Sequence, residues 1–164
     1  ERRRTGRKGV SFMDNKVSDT AVRQIVVFRV GPDEYGVDIQ KVSIIEKMMG
    51  IARVPTTPSY ILGVINLRGE IIPVLDLRLR FDMPSREPDD DTRIIIFRIG
   101  EVALGMLVDL VSEVHQLKET DIESVTSITS DRTLDYITGV GKMDGRLVTL
   151  LNVEKLIADL GVTL

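Results

Sequence analysis

The sequence predicts a mainly β protein built as two small barrels packed on each other, with a few short helices. Three observations lead there: strands rich in β-branched residues, turn glycines at regular intervals, and an internal repeat that returns both. FRVG at Phe28 to Gly31 recurs as FRIG at Phe97 to Gly100, 69 residues later, and Gly36 recurs as Gly105. YILGVINLRGEIIPVLDL (60–77) recurs as YITGVGKMDGRLVTLLNV (136–153) at an offset of 76, with matches at Tyr60/Tyr136, Ile61/Ile137, Gly63/Gly139, Val64/Val140 and Gly69/Gly145. Two copies are too few for a solenoid, and a unit of about 70 residues has a marginal core by itself, so the halves are expected to pack together.

In chain order, residues 1–12 (ERRRTGRKGVSF) carry five basic groups and one acid, and Met13 follows them like a start codon. They read as a vector leader outside the fold, or alternatively as a basic arm for an anionic partner. Removing their net +4 takes the chain from −3 to −7. The remainder is acidic and has no basic patch interleaved with aromatics, which speaks against nucleic-acid binding. Residues 13–23 read as a flexible N-terminus.

Gln24 to Val30 and Glu34 to Ile39 make a hairpin around Gly31-Pro32-Asp33. From Asp38 to Met49 the apolar residues Ile39, Val42, Ile45 and Met49 suggest a helix, with Asp38 as its cap and Gly50 as its stop. Ile44 and Met48 lie off that stripe, so the helix is either wedged between two elements or exposed to a partner. Ile51 to Val54 reads as a short extended piece before Pro55 and Pro58, and Ser59 to Leu62 as one helical turn. A strand-turn-strand follows, with Arg68 presented at the turn beside Gly69. Pro73 places the second strand at an edge or at a bulge.

Asp82 to Asp91, with two prolines and five acids, reads as the connector between repeats 24–81 and 92–160 of one domain, 24–161. Lys118 to Asp135 is Ser/Thr-rich and reads as a long loop with some short helix. Val153 to Leu160 closes the domain as an amphipathic helix stopped at Gly161.

The residues that carry chemistry are sparse. His115 is the only histidine, and cysteine is absent, so no His/Cys metal cluster and no thiolate chemistry is available. Gly141-Lys142 fails as a phosphate loop because Tyr136 stands where a glycine is needed and Met143 where Ser or Thr is needed. Asp89-Asp90-Asp91 lacks the spacing of a calcium loop, and no serine sits in a GxSxG turn. No catalytic residue, metal or cofactor is expected. No apolar run reaches the length of a membrane span, and a cytoplasmic location is expected. What stands out is Arg68, whose fixed guanidinium donors suit a partner's carboxylates or carbonyls; the plain alternative is a surface salt bridge.

DEYGVDIQKV (33–42), RVPTTPSYILGVINLRGEIIPVLDLRLRF (53–81) and YITGVGKMDGRLVTLLNVEKL (136–156), in that order, closely resemble the CheW family of bacterial chemotaxis coupling proteins. The resemblance covers about Gln24 to Leu160, and GVINLRG with its PVLDLR sequel is its most specific part. It implies two packed five-stranded SH3-like barrels and a non-catalytic adaptor. Such an adaptor links the cytoplasmic tips of chemoreceptors to the regulatory domain of the histidine kinase CheA, in arrays where coupling protein and kinase alternate through pseudo-symmetric contacts. The receptor groove of the family, between the barrels, maps onto Val42, Ile44 and Ile45 and onto Asn66, Leu67, Arg68 and Gly69. Arg68 and Thr92 are candidates for the kinase contact. Many members carry a glutamate where this chain has Ile44, with Glu46 the nearest acid here, which bears on the polar part of the receptor contact. The same fold also occurs as the regulatory domain of larger kinases, so a fragment of such a protein is the competing reading.

Overall fold

A computed structural model describes residues 21–124 and 135–160. Eleven strands form among them: β1 (Val22–Val30), β2 (Asp33–Asp38), β3 (Val42–Lys47), β4 (Ile61–Leu67), β5 (Glu70–Asp76), β6 (Arg93–Ile99), β7 (Val102–Val108), β8 (Leu110–Lys118), β9 (Ile122–Glu123), β10 (Ile137–Met143) and β11 (Arg146–Leu151). Two short helices follow β5 and β11: α1 (Leu77–Arg80) and α2 (Val153–Ala158). The strands make a six-stranded sheet, β8-β1-β2-β11-β10-β9, and a five-stranded sheet, β3-β6-β7-β5-β4. The mainly β expectation holds. One barrel has six strands rather than five because the two-residue β9 adds to the edge of β10.

The sheets do not follow the repeats. The β1–β2 hairpin of the first copy pairs with β8 and β11 of the second, and the β6–β7 hairpin of the second pairs with β3 and β5 of the first. The equivalence of the copies extends to register: Val42↔Phe97 in one sheet matches Phe28↔Val111 in the other, and Val74↔Gly105 matches Leu150↔Gly36. Each parallel join, β5 to β7 and β11 to β2, is where one repeat crosses into the other.

Burial explains the apolar runs. In β1, Ile25 and Val27 enter the interior of the six-stranded barrel, while Val26 and Phe28 enter a central core shared by both. In β6, Ile94 and Ile96 fill the five-stranded barrel and Ile95 and Phe97 the shared core. A strand covered on both faces reads as a continuous apolar run rather than an alternating one.

The segment expected as a helix over Asp38 to Met49 is instead a 3-10 turn, Ile39–Lys41, followed by β3. Asp38 does cap, its Oδ1 accepting from the Gln40 backbone N–H at 2.9 Å. Yet the β-branched run from Val42 pairs with β6 along Ile44↔Ile96 and Ile45↔Ile95. A short apolar run fits both periods, and pairing with a fully buried strand decides the outcome. Ser59 to Leu62 is likewise not helical: a turn at Ser59 and Tyr60 leads directly into β4. Ala52 forms the expected extended contact, a bridge to Val64. β5 is an interior strand, but its ladder to β7 begins at Val74, so Pro73 sits where only β4 pairs with it. Its missing N–H is tolerated there. α2 forms as expected, capped by Asn152, with Gly161 outside the described residues. Its counterpart α1 is a helix that the periodicity did not suggest. Of the long connection after β8, Glu119–Asp121 is a 3-10 turn and β9 follows; the rest lies outside the described residues.

Candidate functional site: the Arg68 hairpin

β4 and β5 are joined by a two-residue turn, Arg68 and Gly69, with φ values of 55° and 89°. Two successive positive φ values mark the I′ hairpin, whose twist suits antiparallel strands. Asn66 Oδ1 accepts from the Gly69 backbone N–H at 2.9 Å and pins the tip. Arginine at positive φ is costly relative to glycine or asparagine, so this site carries local strain of the kind found at functional positions. The Arg68 guanidinium makes no hydrogen bond or ion pair with any described residue. Glu70, two residues on, is engaged by Arg98, whose Nη1 donates at 3.0 Å and whose Nη2 makes a second, shorter bond. Those hydrogen bonds hold the Glu70 carboxyl below the usual range, aided by the Arg98 charge.

The residues assigned to a receptor contact separate by face. Ile44 and Leu67 both pack against the interior of the five-stranded barrel. Val42 packs against the shared core. Ile45, 38% exposed, and Asn66, Arg68 and Gly69 face outward. β3 and β4 are the two edges of their sheet. Thr92 is buried: its hydroxyl accepts from the Asp89 backbone N–H at 2.9 Å and closes a turn against the connector. His115 lies half-buried on β8, its Nδ1 3.5 Å from Glu113.

Sequence reasoning missed Ile71 and Leu147, exposed by 60% and 65% just beyond the two hairpin turns. The signal was present, because the 76-residue offset aligns them. Ile45 and Val114, aligned by the 69-residue offset, are a second exposed pair. Also missed was the junction around Asp109, which accepts from Arg78 Nε at 3.0 Å, from Arg78 Nη2 at 2.7 Å and from the Gly31 backbone N–H at 2.8 Å. Arg86 stands 3.2 Å away. Among the described residues no group of three or more His, Cys, Asp or Glu is arranged to hold a metal, and no helix is long and apolar enough to cross a membrane.

Comparison with known proteins gives a consistent set of matches. The family model described as CheW-like domain matches residues 24–161. The chemotaxis protein CheW of Helicobacter pylori is 37% identical over 158 residues, covering 96% of this chain and 92% of that one. The chemotaxis protein CheW of Bacillus subtilis is 37% identical over 129 residues, 79% of this chain and 83% of that one. Among solved structures, the scaffolding protein TtCheW of Thermoanaerobacter tengcongensis superposes with a TM-score of 0.74 at 38% identity, covering 80% of this chain and 89% of that one.

Proposed function

The chain belongs to the CheW family, and from that premise we propose that it is a non-catalytic adaptor coupling chemoreceptor cytoplasmic tips to the regulatory domain of the histidine kinase CheA. It works in the cytoplasm and is recruited to membrane-associated receptor arrays without entering the bilayer. The observation that carries the reading is the Arg68 turn: a guanidinium without a partner among the described residues on a pinned tip, with Ile71 and Ile45 exposed on the same barrel. A cation with five donors beside apolar surface suits a partner that offers carboxylates or carbonyls next to apolar side chains. The receptor surface runs over Val42, Ile44, Ile45, Asn66, Leu67, Arg68 and Gly69. Ile45, Asn66, Arg68 and Gly69 touch the partner, while Ile44 and Leu67 support them from inside. Toward the kinase, Arg68 offers direct contact and Thr92 acts through the turn it closes. Signal passes if one arrangement of the receptor binds better than another, since equal affinity for both transmits nothing.

The test is calorimetric titration of this chain with the CheA regulatory domain and, separately, with a soluble receptor-tip fragment from the same genome, wild type beside Arg68→Glu. Saturable one-to-one binding to both partners, weakened for at least one by the substitution, is the expected result. No binding by a folded sample at tens of micromolar, a range where weak signalling contacts are still measurable, would refute the adaptor reading.

A further inference from the structure

We propose that Arg98 is a positioning residue for the Arg68 contact: by engaging Glu70, it keeps the one carboxylate beside the turn from neutralising the tip. The inference rests on the reading of Arg68 as a contact residue. Glu70 is the only acid between Ile61 and Leu75, and it follows the turn glycine directly. Without a competitor, a carboxylate two residues from a guanidinium that has no partner among the described residues is its natural partner. Arg98 reaches it from β6, a strand separated from β5 by β7. Both side chains are 41% exposed, and an exposed pair contributes little to folding. Stability alone therefore gives little reason for the pair.

The second repeat contains the same arrangement with the charges reversed. Asp144 takes the place of Arg68 at φ 50°, and Gly145 that of Gly69. Arg146 takes the place of Glu70, and it is drawn off by Glu34 at 3.5 Å and Glu113 at 3.3 Å. Asp144 is left without a partner among the described residues. In both hairpins the opposite charge after the turn is held by side chains from other strands of the same sheet, and the tip charge stays available.

The first arm of the test needs no partner. In Arg98→Leu, the Glu70 carboxyl followed by NMR should still titrate below the ordinary glutamate range, because Arg68 now takes it; adding Arg68→Gln should return it to that range. A titration in Arg98→Leu that does not respond to the loss of Arg68 overturns the inference. The second arm measures affinity for the receptor-tip fragment. Arg98→Leu should weaken it about fivefold, the competition a surface ion pair exerts, while Glu70→Gln/Arg98→Leu and Arg98→Lys bind close to wild type. A double variant as weak as Arg98→Leu overturns the inference, because the defect is then not caused by Glu70. Wild-type affinity in Arg68→Glu would instead remove the contact reading, and the positioning role with it, whatever the titration shows.

Discussion

Asp76 and Asn152 perform the same task in the two repeats. Each backbone N–H donates to the carbonyl of the tyrosine that opens its hairpin, Tyr60 at 2.8 Å and Tyr136 at 2.7 Å. Each side chain then caps the helix that follows: Asp76 Oδ1 accepts from the Arg78 N–H at 2.9 Å, and Asn152 Oδ1 from the Lys155 N–H at 3.0 Å. The first copy does with a buried carboxylate what the second does with a neutral amide.

That substitution within the molecule predicts the effect of Asp76→Asn. Burial pushes the Asp76 carboxyl above the usual range, against the opposing pull of its backbone hydrogen bonds and Arg78. A raised carboxyl favours the fold below its unfolded pKa, and that contribution is lost as pH rises through the folded value, so at neutral pH the charge is a cost. Asp76→Asn should match or exceed wild-type stability at about pH 7, whereas Asp76→Ala, which loses the cap, should fall by about 1 kcal/mol. Urea unfolding of the three proteins measures this.

Gly63 and Gly139 sit at equivalent register shifts in the two hairpins. A Cβ on Gly63 would lie 2.1 Å from the Ala52 carbonyl oxygen, at a φ of 151°, while one on Gly139 would lie 2.7 Å from the Glu123 oxygen. Gly63→Ala should cost about 3 kcal/mol or more and Gly139→Ala less, because the first adds backbone strain to the overlap. Equal unfolding midpoints for the two variants would contradict the assignment.

Arg68→Asn should separate stability from binding. Asparagine accepts the positive φ that arginine tolerates poorly. The variant is expected to be more stable by about 0.5 kcal/mol, seen as a raised thermal midpoint, and to bind the receptor-tip fragment more weakly.

Asp109→Ala removes the acceptor for the Gly31 and Arg78 donors and the ion-pair partner of Arg86, and it takes the carboxylate away from Arg78, whose side chain is only 16% exposed. The expected loss is about 2–3 kcal/mol. Although burial opposes its charge, the hydrogen bonds from Arg78 and Gly31 and the nearby guanidinium charges hold the Asp109 carboxyl below the usual range. Its contribution is present above the unfolded aspartate pKa and lost as pH falls through the folded value. The gap between wild type and Asp109→Ala should therefore narrow as the solution is acidified, which chemical unfolding across the acid range can follow.

Much of the fold was legible in the residues, because turn glycines and β-branched strands depend on local rules. Gly31, Gly69 and Gly145 all take the positive φ that their turns require. The misread stretch from Asp38 to Met49 shows where local rules stop: Ile39, Val42, Ile45 and Met49 satisfy a helical stripe, and only the presence of β6 beside Val42 to Lys47 selects a strand. The position of Arg68 at a tip was readable from Arg-Gly between two apolar strands. That Glu70 is held by Arg98, and that Arg78 and Asp109 meet, was not, since each pair spans about 30 residues and depends on which strands become neighbours.

The crossing of the repeats determines how the molecule bears load. A single cut in the connector between α1 and β6 would leave two fragments, each owning strands of both sheets and neither owning a complete one. To part them, β1 must leave β8, β2 leave β11, β3 leave β6 and β5 leave β7 together. A pull on one barrel is thus carried by backbone hydrogen bonds into the other half of the chain, and the protein yields as a whole or not at all.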